Sequence, residues 1–226
     1  MLEFLAQQAQ IFLDIFAYLI PALPTTVAIT VTAYLLAVTL GLLVSLARLS
    51  NWKSLRWPAK AYVDVLRGVP LLVQIFFIYF GLGKVLHLGR FSAGVLAVGI
   101  CYSAYLSEIF RSGISAIEKG QHEAALSLGM TRLQVLRYVI LPQAARIIVP
   151  PAANEFIASL KDSSLVSIIG LRELTRAGRE YYSQFFVDFQ TWLAVGILYL
   201  ILTLGLSRIV AWLEKRYRVH GYGVAH

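Results

Sequence analysis

Three side chains near the middle of the chain could hold a small charged molecule. Glu155, Ser159 and Asp162 fall at i, i+4 and i+7, one face of a helix. Asp64, Arg67, Leu71 and Gln74 repeat the pattern earlier, with Gly68 and Pro70 loosening the backbone between them. An arginine is a planar donor suited to a carboxylate. The chemistry predicted is recognition of a zwitterion. Arg67 takes an α-carboxylate, and Glu155 or Asp162 takes an α-ammonium or a cationic side chain. A buried ion pair between Arg67 and either acid would account for the same residues.

Other chemistries lack their residues. The glycine-rich G-x-x-x-x-G-K-[ST] loop that cradles phosphates is absent, as are H-E-x-x-H and G-x-S-x-G. No catalytic residue is therefore assigned. The single cysteine, Cys101, excludes an internal disulfide and a cysteine-based metal cluster. His87, His122, His220 and His226 lie in loops or the tail without metal-ligand spacing.

The elements that carry these residues are membrane helices. Of the 226 residues 58% are hydrophobic and 14% charged, where a soluble domain carries about 25%. Mean hydropathy is +0.71. A spanning helix needs about 20 mostly apolar residues. The spacing predicts spans near Tyr18–Leu46, Tyr62–Gly81, Phe91–Phe110, Ala144–Leu160 and Thr191–Leu213. The fourth holds Pro150, Pro151, Asn154 and Glu155 and is predicted to break at the prolines, as transport-site helices do. An N-terminal interfacial helix over residues 1–17 precedes the core, with Phe4, Leu5, Ile11, Phe12, Ile15 and Phe16 as its apolar side. Residues 18–213 form the five-span core, and 214–226 a cytoplasmic tail.

With the N-terminus outside, thirteen of the twenty basic residues lie inside: Arg48, Lys53, Arg56, Lys60, Arg111, Lys119, Arg132, Arg137, Arg146, Arg208, Lys215, Arg216 and Arg218. Six lie outside, and Arg67 falls within the second span. The charge rule thus selects N-out, C-in. It also explains the net charge of +8 without nucleic acid. Asp64 and Arg67, and Glu108 and Arg111, are each spaced to pair at i, i+3.

The loop over 111–143 is built rather than irregular. Glu123–Leu128 is strong helix-forming sequence. Gly129 sits at a C-terminal cap, and Thr131 with Gln134 makes a capping box. Pro142 then fits the first turn of the next helix. Two capped helices below the bilayer suit docking to a cytoplasmic partner.

Glu123-Ala124-Ala125, then Gly129, then Leu141-Pro142-Gln143-Ala144 resembles the EAA loop of bacterial ABC importer permeases. LRGVPLLVQIFFIYFGL at 66–82 and NEFIASLKDSSLVSIIG at 154–170 resemble two further motifs of the polar amino acid uptake branch. The resemblance implies an all-α, polytopic type I transmembrane domain that imports polar or basic amino acids. It implies that Glu123, Ala124, Ala125, Gly129, Met130 and Thr131 form a coupling helix on an ATPase subunit. No cofactor is implied in this chain; ATP and Mg belong to the partner ATPase. The implied assembly has two ATPases, a second permease copy or paralogue, and a periplasmic or lipoprotein amino-acid-binding protein. It lies among lipid in the bacterial cytoplasmic membrane. An ion-coupled transporter or channel acting without an ATPase is the alternative, since intramembrane acids also suit proton or cation coupling.

Overall fold

The computed structural model describes residues 1–217. The tail beyond, with Arg218, His220 and His226, lies outside the described residues. All regular structure among them is helical: α1 (Leu2–Leu19), α2 (Leu23–Leu49), α3 (Lys53–Gly68), α4 (Leu71–Phe76), α5 (Gly83–Leu86), α6 (Arg90–Ser115), α7 (Lys119–Ser127), α8 (Arg132–Gln134), α9 (Leu141–Asp162), α10 (Leu174–Phe185) and α11 (Asp188–Tyr217). Pro21 and Pro24 sit in the short 3-10 turn and first turn that join α1 to α2.

Among the described residues three helical stretches are long and apolar enough to cross a membrane: Ala6–Leu49, Arg90–Ser115 and Asp188–Leu213. A fourth candidate is a bent pair, Lys53–Gly68 with Leu71–Leu86, whose halves meet at 106°. The span expected over Tyr62–Gly81 falls on this bent pair, and the single helical face expected for Asp64, Arg67, Leu71 and Gln74 is corrected. Val69 and Pro70 take extended backbone, because proline disfavours helix at the residue before it. Asp64 and Arg67 consequently stand on a different helix from Leu71 and Gln74. The fourth predicted segment needs the opposite correction. Helix α9 runs unbroken through Pro150 and Pro151. Each proline removes one backbone donor, but neighbouring helices support the rod. Tyr34 donates its hydroxyl to the Ala152 carbonyl, and its ring meets Phe156 edge-on at 5.0 Å.

The frame is the pair α2 and α6. They run parallel, since Gly94 meets Ile29, Gly99 meets Ala33 and Leu36, and Gly41 meets Ser103, Leu106 and Ser107. Ala33, Ala37 and Gly41 are buried on one side, and Ala93, Ala97 and Ala104 on the other. Lipid tails are as apolar as leucine, so helices in a bilayer associate by close packing of such small residues. Where both helices end, Glu108 pairs with Arg48 of α2 and with Arg111 of α6. The Glu108–Arg111 pair expected from spacing is present, and Arg48 is a third member.

At the opposite end, α1, α10 and α11 enclose a smaller core of Ile15, Leu19, Leu174, Ala177 and Leu198. Glu173 caps α10. Its carboxylate accepts from the Thr175 and Arg176 amides at 2.9 and 2.7 Å and from the Tyr199 hydroxyl at 2.9 Å. Burial pushes this carboxyl above its usual range, and the three donors oppose that shift.

A Cβ on Gly41 would lie 2.9 Å from the Ser103 carbonyl oxygen and 3.0 Å from Leu106 Cβ, groups that cannot swing aside. Gly41→Ala is expected to cost about 1–3 kcal/mol, read as a lower thermal midpoint in detergent. Gly196→Ala, in α11 with nothing within 4 Å of the added carbon, is expected to be neutral or stabilising by up to about 1 kcal/mol.

Candidate transport site and coupling loop

The bend that ends α3 leaves an open volume against α6 and α9. This cavity, of about 490 Å³, is lined by Arg67, Gly68, Val69, Pro70 and Leu71 at the bend. From α6 come Cys101, Tyr102 and Tyr105, and from α9 Glu155, Ala158 and Asp162. Of the predicted residues it unites Arg67, Glu155 and Asp162. Asp64, Gln74 and Ser159 stand outside its lining.

Each of those three has another position. Gln74 is buried and donates through Nε2 to the Leu66 and Val69 carbonyls, both at 2.9 Å. These groups lie in the last turn of α3 and just beyond it, where carbonyls lack helical partners. Gln74 therefore fixes the bend that presents Arg67. Ser159 is fully buried and donates to the Phe156 carbonyl at 2.8 Å. Asp64 is exposed and makes no ion pair with Arg67, contrary to the i, i+3 expectation.

The charged groups at the cavity are held apart. Among the described residues no ion pair joins Arg67 to Glu155 or Asp162. The Arg67 guanidinium instead lies over the Tyr105 ring, 5.3 Å from its centroid, a cation–π contact that leaves its N–H edge free for an acceptor. Asp162 accepts from the Tyr102 hydroxyl at 2.8 Å. Tyr102 and Tyr105 carry no unusual sequence signal. They read as span residues, and only the fold shows that they hold the two charges.

The other end of α9 leads to the loop. Helix α7 ends in a Schellman arrangement: Met130 N–H donates to the Ala125 carbonyl at 3.2 Å and Gly129 N–H to Leu126 at 2.9 Å. Gly129 has φ +84°, the left-handed conformation expected of a glycine cap. The Thr131–Gln134 capping box is present in both directions. Pro142 stands in the first turn of α9, as expected, and a π-turn over Val135–Ile140 joins α8 to α9 without a break. The wider turn makes room for the proline ring, which would press on the carbonyl four residues back in a regular helix. Glu123, Ala124 and Gly129 are exposed, Met130 is half-buried and Ala125 is buried. Leu128 and Leu133 are 84% and 72% exposed.

Residues 37–219 match the model of the binding-protein-dependent transport system inner membrane component family. The chain belongs to this family. It is the permease subunit of an ABC importer and a multi-pass inner membrane protein. It is 42% identical over 183 residues to the glutamine transport system permease protein GlnP of Escherichia coli K12, covering 80% of this chain and 84% of that one. It is 34% identical over 201 residues to the arginine transport system permease protein ArtQ of Bacillus subtilis 168, covering 88% and 92%. A crystal structure of an amino acid ABC transporter with histidines superposes at a TM-score of 0.84 with 40% identity, over 90% of this chain and 96% of that one. The MetNI methionine ABC transporter, at 18% identity and a TM-score of 0.78, shares the permease fold.

Gln74→Leu would leave two carbonyls at the bend without their donor, and is expected to destabilise the permease by about 1–3 kcal/mol. Gln74→Glu, which cannot donate when ionised, should not restore it. Thermal midpoints of the purified assembly measure both.

Proposed function

We propose that this permease imports polar or basic α-amino acids and that the cavity at the bend is its transmembrane substrate site. The observation that carries the reading is the set of charges held apart there, one guanidinium facing two carboxylates. A free amino acid would bring the missing counter-charges. The relatives are named for glutamine and arginine transport, substrates whose common part is the α-carboxylate and α-ammonium. Arg67 takes the first, and Glu155 or Asp162 takes the second or a basic side chain.

The chain crosses the bacterial cytoplasmic membrane five times, N-out and C-in. Helix α9 is the polar span, sheltered by α2, α6 and α11, against which it packs. The exposed leucines of the loop and the EAA residues Glu123, Ala124, Ala125, Gly129, Met130 and Thr131 dock on an ATPase, where ATP and Mg are consumed. Two ATPases, a second permease copy or paralogue, and a periplasmic or lipoprotein binding protein complete the importer.

Two experiments test the two halves. In reconstituted complexes that assemble normally, Arg67→Ala and Glu155→Gln should each weaken amino acid binding and import by about tenfold or more. Unchanged substrate dependence in both would overturn the site. Glu123→Ala or Gly129→Leu should lower import per ATP hydrolysed while substrate affinity holds. A large affinity loss with coupling preserved would overturn the division of labour.

A further inference from the structure

The cavity accounts for only one charge of a longer row. Lys53, Arg56, Lys60, Asp64 and Arg67 follow one another at spacings of three or four residues, so they stand on a single face of α3. All five are exposed. None takes part in the ion pairs found among the described residues.

The depth of this face makes it informative. Tyr62 on α3 is hydrogen-bonded at 2.7 Å to Ser103, in the middle of α6 (Arg90–Ser115), itself long and apolar enough to span the membrane. Lys60 and Asp64 therefore flank the level of the α6 midpoint. Lys53 stands near the end where α2 stops and the Glu108 cluster lies, and Arg67 reaches the cavity. Unpaired charges at such depth do not face lipid; they face water or a polar partner. The adjacent surface behaves differently. Val65 is exposed too, but it lines an apolar groove with Leu66, Val69, Val73 and Phe77.

We infer that the charged face of α3 lines an aqueous release passage from the cavity to the cytoplasm, with Lys60 and Arg56 as successive carboxylate sites after Arg67. The inference rests on the proposed substrate site and orientation. At 1.5 Å per residue, Arg67 to Lys60 is about 10 Å and Lys60 to Arg56 about 6 Å. Asp64 stands between Arg67 and Lys60. A zwitterion leaving the cavity thus meets an acceptor for its ammonium while its carboxylate passes from one base to the next. The opposite charges let each step end on a new pair rather than in water.

The test uses the assembled importer in a Cys101→Ser background, labelled in inside-out vesicles and assayed for import in right-side-out vesicles. Lys60→Cys and Arg56→Cys should react with a membrane-impermeant cationic thiol reagent about tenfold or more faster than Val65→Cys, because the reactive thiolate forms only where water reaches. Lys60→Glu and Arg56→Glu should slow import by about tenfold with half-saturation nearly unchanged, and Lys60→Arg should restore the rate. Labelling of Lys60→Cys no faster than Val65→Cys, or wild-type import in both charge reversals, overturns the passage. Amino acid binding to Arg67→Ala and Glu155→Gln separates the two claims. Binding unchanged in both overturns the site, whereas binding weakened there with no labelling at Lys60→Cys overturns the passage alone.

Discussion

The contact on which this fold depends is the backbone-to-backbone approach of α2 and α6. At Gly41 the two helices are too close for a methyl group. In water such a contact would add to a hydrophobic core. In a bilayer, dispersion between closely packed surfaces does most of the work. The pair then serves as a wall. Helix α3 turns back on it, the bend opens beside it, and α9 lies across it. The Glu108 carboxylate ties its far end to Arg48 and Arg111, so two helices that could slide past each other keep one register.

Against that wall the cavity stores charge without cancelling it. A direct Arg67–Glu155 pair would satisfy both groups, and a substrate would then have to displace it. The two tyrosines give a different solution. Tyr105 offers the guanidinium a ring face and Tyr102 gives Asp162 a hydroxyl, neutral partners that hold each group without an ion pair.

Much of this was legible in the sequence where the signal is local. The Gly129 cap and the Thr131–Gln134 box depend on residues within one turn, and both formed as read. Arg67, Glu155 and Asp162 stood out because charge is costly in a bilayer wherever the chain takes it. What could not be read was the path of the backbone. Periodicity counts Asp64 and Gln74 on one face until Val69 and Pro70 turn the chain by 106°. Gln74 then becomes the clasp of the bend rather than a cavity wall. The prolines of α9 misled in the other direction, because the amides they remove are local but the packing that holds the helix comes from far along the chain, Tyr34 among its contacts.

The continuity of α8, the π-turn and α9 has a mechanical consequence. From Arg132 to Asp162 the chain is one rod, about 45 Å long. Tyr34 of α2 grips it at Ala152 and Phe156, roughly three-quarters of the way along. A rod pivoting at that clasp has unequal arms. Glu155, beside the fulcrum, would hardly move, while Asp162 on the short arm would swing opposite to the loop with about a third of its travel. One acid would keep its place and the other would be withdrawn, so a single tilt would open the pair of carboxylates without bending the helix that carries them.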